Sequence, residues 1–275
     1  MGTQPLSSLP LALESPDRRH KVSASLVANA PLVTHRYGHG KQIVVGLHGW
    51  SGDHHSFEPL LAHLPEHVSF YTFDLPGCGD SPRPKRWSME TLSDMLVRQW
   101  DALGWEEVTV LGHCSGALLG LHAAQKLGPK RIKRFVMIDA FAYFPWYFQL
   151  FLLPGLRWLF YFTAFANPLG RFLTNLSLKD KRTEDSSLTS GFEGVSPIVS
   201  LAYLKALREI PGAKSLFSPL NVTEIVYGEK TFDAVRKGAE MWQELWPEAK
   251  LHILKGAGHL PIHESTEQLA ELAFR

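Results

Sequence analysis

The chain has 275 residues, 45% of them hydrophobic, and a formal net charge of +1 at pH 7. This length fits one large domain or a core with an insertion, and the apolar fraction is enough for a sizeable core. The near-neutral charge excludes the strongly basic composition typical of nucleic-acid-binding proteins. Cys78 and Cys114 are the only cysteines, so a disulfide-stabilised fold is not indicated.

The first twenty residues lack the basic start and the continuous apolar run of a secretory signal. We therefore expect a cytoplasmic protein in which residues 1–20 form a flexible segment. The next two β-rich runs are KVSASLVANA and LVTHRYGHG. They predict an antiparallel hairpin at the edge of a sheet.

Short apolar runs then alternate with helical patterns. The apolar runs are QIVVGLHG, VSFYTFDLPG, VTVLGH, RFVMIDA, VTEIVYGEK and LHILKGAGH. The helical patterns are HSFEPLLAHL, METLSDMLVRQWDALG, SGALLGLHAAQKLG and FDAVRKGAEMWQELW. Apolar strands that do not alternate with polar residues, separated by helices, predict a mostly parallel sheet flanked by helices on both faces. The predicted fold class is α/β.

The alternation stops after Asp139 and resumes near Val222. The intervening segment, rich first in aromatic residues and then in Ser, Gly and Pro, is interpreted as an insertion over the carboxyl ends of the strands. Ligands of open α/β sheets bind at that edge. We assign residues 21–140 and 215–275 to the core, and residues 141–214 to a helical cap.

The start of this cap is unusually apolar, because Arg157 is the only charged residue between positions 141 and 165. Its length alone would permit a membrane span. However, Pro145, Pro154 and Gly155 divide it into pieces too short to cross. We therefore expect two short helices and no transmembrane span.

The sequence GHCSG, residues 112–116, joins a predicted strand to a predicted helix. A sharp strand–helix turn has no room for side chains two positions before and after its tip, so Gly112 and Gly116 place Cys114 at the tip. There the partial positive charge of the helix N-terminus favours a thiolate. Ser115 then begins the helix with its backbone N–H directed at the pocket. The alternative is that Cys114 is a buried apolar side chain and the glycines serve packing.

Two further motifs follow other strands. In GLHGW, the backbone N–H of Trp50 points to the same pocket and forms a two-donor oxyanion hole with that of Ser115. In KGAGHLPIHE, His259 stands on a glycine-rich turn after the last strand. This position is typical of a general base that must reach a nucleophile.

The motifs LHGWSG, FDLPGCGDSPRP, LGHCSGA, FVMID, VYGEK and GAGHLPIHE, in this order, resemble the α/β-hydrolase fold superfamily. The resemblance is to its capped group, which includes ester hydrolases and haloalkane dehalogenases, and it extends from Val22 to Arg275. It implies an α/β-hydrolase fold with the cap inserted after the sixth strand. It also implies that Cys114 is the nucleophile, His259 the base, and the amides of Trp50 and Ser115 the oxyanion donors.

The acid partner of the base is not determined by this resemblance. The family commonly carries it after the seventh strand, where this chain has Thr231. Asp233, two residues later, and Asp139, at the end of the sixth strand, are equal candidates, and Glu229 is a weaker third. A thiolate–imidazolium pair depends on the acid less than a serine nucleophile does.

A cysteine nucleophile implies a thioester acyl-enzyme, and the aromatic cap suits an apolar acyl group. We expect a cofactor-free hydrolase that cleaves an ester, thioester or lactone of a hydrophobic acyl substrate, free or carrier-bound. Two alternatives remain open: an acyltransferase or cyclase with the same acyl-enzyme, and a non-catalytic ligand-binding relative.

No nucleic-acid partner is expected, and peripheral contact of the cap with a membrane remains open. No metal site is predicted either, because His54, His55 and His263 lack accompanying ligands at useful spacing.

Overall fold

The computed structural model describes residues 25–26, 31–209 and 222–275. The predicted flexible segment at 1–20 and the predicted end of the cap at residue 214 lie outside these ranges. The described residues form an eight-stranded sheet in the order β1-β2-β4-β3-β5-β6-β7-β8. Its strands are β1 Ser25–Leu26, β2 Thr34–Tyr37, β3 Gln42–Leu47, β4 Val68–Phe73, β5 Val108–His113, β6 Ile132–Ile138, β7 Val222–Gly228 and β8 Lys250–Leu254.

The sheet is mostly parallel, which confirms the predicted α/β class. The six strands from β3 to β8 run parallel to one another. β2 is antiparallel to both of its neighbours, β1 and β4. The pair β1–β2 is the hairpin that the two N-terminal runs predict. β4 and β5 are buried at every position, because helices cover both faces of the sheet.

Alternate residues of the central strands β3 to β6 pack into two separate apolar clusters. Val45 and Leu47 of β3 join the cluster that includes the helices α1 Met89–Leu103, α2 Ser115–Leu127 and α6 Asp233–Leu245. Val44 joins the opposite cluster, which includes α8 Thr266–Phe274 and the 3-10 helix His54–His63. A short helix, α7 Pro261–Glu264, precedes α8. This two-sided burial explains why the strands are apolar without alternation.

The cap lies between β6 and β7, as predicted. It consists of a 3-10 helix Trp146–Leu152, α3 Arg157–Tyr161, a π-helix Phe162–Ala166, α4 Pro168–Ser177 and α5 Pro197–Arg208. Among the described residues, no single helix is long and apolar enough to cross a membrane. The segments Trp146–Leu152 and Arg157–Ala166 are apolar enough only when taken together, and they meet at an angle of 115°.

The strand–helix turn at Cys114 is tightly enclosed by backbone. The backbone N–H of Cys114 donates to the carbonyl of Ile138, at 2.8 Å, which ties the turn to the last residue of β6. A Cβ atom at Gly116 would overlap the carbonyl oxygens of Leu47 and His48, and one at Gly112 would overlap the backbone of α2. Both positions therefore require glycine, because neighbouring backbone lies too close to leave room for a Cβ atom.

We predict that Gly116→Ala destabilises the protein by about 2 kcal/mol or more, because the backbone oxygens in its way cannot move aside like a flexible side chain. Urea denaturation followed by circular dichroism measures the free energy of unfolding. Gly194→Ala is the matched control, since an added Cβ there meets nothing within 4 Å, and it should change this free energy by less than about 0.5 kcal/mol. Equal stability of the two variants would contradict the proposed packing.

Candidate active site

The candidate nucleophile stands at the tip of the turn between β5 and α2. Cys114 has φ 50° and ψ −118°, a backbone conformation that non-glycine residues rarely adopt. It caps the N-terminus of α2, and its side chain, 8% exposed, lines a cavity beneath the cap. Cys114 and Cys78 are both free thiols.

The imidazole of His259 reaches this cysteine from the loop after β8. Its Nδ1 lies 2.7 Å from Oδ2 of Asp139, and its other side hydrogen-bonds the Cys114 side chain. Because Nδ1 carries the proton shared with the carboxylate, Nε2 is the atom that faces the sulfur. The three side chains therefore form one hydrogen-bonded series.

Asp139 is fully buried directly after β6 and also adopts a positive φ of 50°. Its Oδ1 accepts the backbone N–H of Gly228 at 2.9 Å, and its Oδ2 accepts the hydroxyl of Thr231 as well as the imidazole N–H. Thr231, at the position where relatives commonly carry the acid, thus holds the carboxylate that contacts the base.

The other two candidate acids are directed elsewhere. The Asp233 side chain is 73% exposed and forms ion pairs with Arg236 and Lys181. Glu229 accepts the backbone N–H of Gly256 at 2.9 Å. Within the part of the chain that the structure describes, neither carboxylate hydrogen-bonds His259. The structure therefore brings Asp139, and not Asp233, to the imidazole.

The environment keeps the imidazole protonated. Burial lowers the pKa of His259, but hydrogen bonds to Asp139 and Cys114, together with their negative charges, outweigh it and raise the pKa to about 10. His113 differs, because burial and the neighbouring His259 lower its pKa to about 4. Its Nε2 lies 3.2 Å from the carbonyl of His259, so the neutral ring donates there and supports the base loop.

The base loop is also attached to the cap. The backbone N–H of His259 donates to the carbonyl of Lys181 at 2.9 Å. The Glu264 carboxylate accepts the N–H of Gly258 at 2.6 Å and that of Thr183 at 2.9 Å. His113 and Glu264 lie within quoted motifs, GHCSG and GAGHLPIHE, but sequence reasoning assigned neither a role. Their contacts join distant segments, which a motif does not reveal.

A buried histidine orients one candidate oxyanion donor. The N–H of Leu75 donates to Nε2 of His48 at 3.0 Å, so Nδ1 carries the proton and donates to the Gly49 carbonyl at 2.9 Å. In a trans peptide the carbonyl and the following N–H point in opposite directions. The N–H of Trp50 is therefore turned away from His48. Trp50 and Ser115 both line the cavity that Cys114 lines.

The cavity has a volume of about 910 Å³, lies between core and cap, and is partly open to the surface. Its cap side is strongly aromatic, with the rings of Phe144, Tyr147, Phe148, Phe151, Phe165 and Phe192. The buried hydroxyl of Tyr147 has no hydrogen-bond partner among the described residues. Burial, followed by the nearby charge of Cys114, raises the pKa of this phenol. Tyr147 is thus a cavity-lining residue with an unpartnered hydroxyl, which sequence reasoning missed.

One group of potential metal ligands lies outside this cavity wall. His35, His54 and Asp74 offer ligand atoms within 4.8 Å of one another. The two imidazole rings are stacked, with centroids 3.5 Å apart and planes inclined by 14°. The lone pairs of stacked rings run side by side, so they do not converge on one ion. Nδ1 of His54 instead pairs with Asp74 at 2.8 Å.

Comparison with known proteins gives matches along most of the chain. The profile of the family described as alpha/beta hydrolase fold matches residues 42–266. A pimeloyl-[acyl-carrier protein] methyl ester esterase from Hamiltonella defensa subsp. Acyrthosiphon pisum is 23% identical over 253 residues, covering 86% of this chain and 92% of that protein. A probable serine hydrolase from Drosophila melanogaster is 33% identical over 107 residues, covering 36% of this chain and 31% of that protein.

The fold is also found in solved structures. A bromoperoxidase from Bacillus anthracis has a TM-score of 0.71 and 20% sequence identity, with 91% of this chain and 98% of that chain covered. The likeness to this solved structure shows the fold alone. The match of the family profile shows that the chain belongs to the alpha/beta hydrolase fold family, and together with the relatives named as an esterase and a hydrolase it shows an enzyme of the hydrolase type.

Proposed function

We propose that this enzyme cleaves an ester, thioester or lactone of a hydrophobic acyl substrate through a thioester on Cys114. The observation that carries the proposal is the hydrogen-bonded series of Cys114, His259 and Asp139 at the base of an apolar cavity. These side chains and the nearby amides supply a nucleophile, an acid–base group and oxyanion donors. Such a reaction requires no cofactor.

Acylation begins from the thiolate–imidazolium pair. The sulfur of Cys114 attacks the substrate carbonyl carbon, and the oxyanion is stabilised by the backbone N–H groups of Trp50 and Ser115. Collapse of the tetrahedral intermediate breaks the bond to the leaving group, which takes the proton from Nε2 of His259. The products of this step are a free alcohol or thiol, or the ring-opened hydroxyl of a lactone, and an acyl thioester on the enzyme.

Deacylation uses the same imidazole in its neutral form. Once the sulfur is acylated, its negative charge and its hydrogen bond no longer raise the pKa of His259, while the burial that lowers the pKa remains. Neutral Nε2 then accepts a proton from a water molecule as that water attacks the thioester carbonyl. Collapse releases the carboxylic acid and restores the thiolate–imidazolium pair.

The cavity indicates the kind of acyl group. Its volume of about 910 Å³ and its aromatic cap wall suit an extended apolar chain. The relative named pimeloyl-[acyl-carrier protein] methyl ester esterase, matched over 92% of its length, supports a carrier-bound acyl ester as one substrate of this type. We therefore propose acyl esters with long apolar chains, free or carrier-bound.

The structure bears differently on the two alternatives, which are acyl transfer or cyclisation and a non-catalytic ligand-binding role. Acyl transfer or cyclisation uses the same thioester, with an alcohol, amine or thiol replacing water, so the ratio of products with added acceptor distinguishes it from hydrolysis. The non-catalytic alternative depended on a displaced acid. The contact between Asp139 and His259 counts against it.

Cys114→Ala should lower kcat/KM for p-nitrophenyl esters by at least about a thousandfold, because it removes the sulfur that pairs with His259 and would carry the acyl group. Iodoacetamide should add to Cys114 of the native enzyme and abolish turnover, as followed by mass spectrometry of the intact protein and its peptides.

Cys78 is the matched control for this test. It is buried, and burial raises the pKa of its thiol to about 12, so it should stay unmodified and Cys78→Ser should keep its activity. Full activity of Cys114→Ala would refute the proposed nucleophile. Absence of turnover in the wild type, with no enhanced reactivity of Cys114, would favour the ligand-binding alternative.

Asp139→Asn should lower the pKa of His259, since it removes a hydrogen-bonded negative charge and leaves the burial. In the wild type the imidazolium loses its proton as the pH rises through about 10, so kcat/KM should decrease there. This decrease is the alkaline limb of the pH–rate profile. In the variant this limb should move to lower pH, and kcat/KM at neutral pH should fall by about tenfold or more. A pH–rate profile and NMR titration of the imidazole measure both effects.

Asp233→Asn is the control, because its exposed carboxylate pairs with Arg236 and Lys181. It should leave the alkaline limb where it is. A shift caused by Asp233→Asn, or no shift from either substitution, would show that Asp139 is not the acid.

Ala164→Phe should shorten the accepted acyl chain, since Ala164 lines the cap side of the cavity. For p-nitrophenyl esters of increasing length, kcat/KM should rise with length in the wild type. The variant should lose at least about tenfold on long esters and little on the acetate. Ala102→Phe, at an exposed position of α1, is the control. An unchanged length profile in Ala164→Phe would place the acyl chain elsewhere.

A further inference from the structure

The outer face of the cap concentrates the exposed apolar side chains of the molecule. In the described ranges, all large hydrophobic residues that are exposed lie between positions 146 and 198, except Leu251 and Ile253 on β8. The cap residues include two tryptophans, Trp146 at 75% exposure and Trp158 at 38%. Large exposed apolar patches are uncommon on soluble monomers, and they often mark interaction sites.

The bend between the first two cap segments is exposed without interruption. These segments meet at 115°, and every residue from 153 to 159, with the sequence LPGLRWL, is exposed. We call residues 153–159 the cap apex. Its Leu156 and Leu159 are 47% and 58% exposed, and α4 continues the surface with Leu169 and Phe172 at 66% and 61%.

The charged residues in the first part of the cap are all basic. Residues 141–178 contain Arg157 and Arg171 and no acidic residue. Arg171 pairs with Glu193 at 3.0 Å, whereas exposed Arg157 forms no ion pair with any described residue and lies over the ring of Trp158. Tryptophan and arginine beside leucines are typical of segments that lie at the boundary between headgroups and acyl chains. Anionic lipids complement the unpaired cation.

The cap is also apolar on both sides. In the 3-10 helix Trp146–Leu152, Phe148 and Phe151 line the cavity while Trp146 and Leu150 are exposed. A single layer of helices thus separates the cavity from the outer face. If the proposed function holds, this arrangement takes an acyl chain from a lipid phase into the cavity with little exposure to water.

We propose that the cap apex and the outer face of α4 insert into the headgroup–acyl boundary of an anionic phospholipid bilayer. A protein partner is favoured less, because the cap apex combines exposed leucines and Trp158 with Arg157, a cation that has no ion pair among the described residues, and this combination fits the boundary of an anionic bilayer. The proposed membrane contact does not depend on the reaction at Cys114.

Flotation of the full chain with vesicles tests this proposal. The wild type should bind vesicles of equal parts phosphatidylcholine and phosphatidylglycerol. The double variant Leu156→Ser/Leu159→Ser should lose at least about tenfold in affinity, because two apolar side chains no longer leave water. Arg157→Gln should lose about fivefold on these vesicles and nothing on phosphatidylcholine alone. Leu251→Ser/Ile253→Ser, on the exposed face of β8, is the matched control and should bind like the wild type.

Thermal denaturation verifies that each variant is folded, and hydrolysis of soluble p-nitrophenyl acetate is a second check for the cap and β8 variants. Cys114→Ala should still float with vesicles, which separates a failure of this proposal from a failure of the proposed reaction. The proposal is overturned if the wild type does not bind vesicles, or if the β8 control loses binding equally. It is also overturned if the same cap substitutions abolish self-association or binding to an acyl carrier protein while vesicle binding is unchanged.

Discussion

The carboxylate of Asp139 is the interaction on which the candidate site depends. A fully buried charge is costly unless it is hydrogen-bonded and paired. Here the donors come from the end of β7, from Thr231 after it and from His259 after β8. One carboxylate therefore determines how three consecutive strand ends are arranged. It also sets which nitrogen of the imidazole faces the sulfur, because Nδ1 is already engaged.

The nucleophile turn belongs to the same assembly. The N–H of Cys114 bonds the carbonyl of Ile138, the residue immediately before Asp139. Cys114 and Asp139 are thus connected through one residue of β6, and the parallel pairing of β5 with β6 brings them close together. The base is held from a further direction, since the N–H of His259 donates to Lys181 of the cap. Cap position and imidazole position are consequently coupled.

The cap combines two apolar surfaces in one thin layer. Toward the core its aromatic rings line the cavity that Cys114 and His259 also line. Toward the outside it leaves leucines and tryptophans exposed, which is unfavourable in water alone. The chain bends at Pro154 and Gly155, between the segments Trp146–Leu152 and Arg157–Ala166. Because of this bend, both segments lie against the cavity.

Local rules made much of this protein predictable from its sequence. The alternation of strands and helices requires only hydrophobic periodicity, and the spacing of Gly112 and Gly116 around Cys114 requires only the sterics of a turn. The choice of acid was beyond such rules, because residues 139, 231 and 259 meet only when three strand ends lie side by side. The same holds for the partnership of His35 with His54 and Asp74. Which side of each cap helix is exposed was also undetermined, since apolar residues on both faces left both buried helices and peripheral membrane contact open. Sequence alone therefore determined the elements and the turn that presents Cys114. Tertiary packing decided the partner of His259 and the outward face of the cap, because contacts between distant segments are set by how the elements pack together.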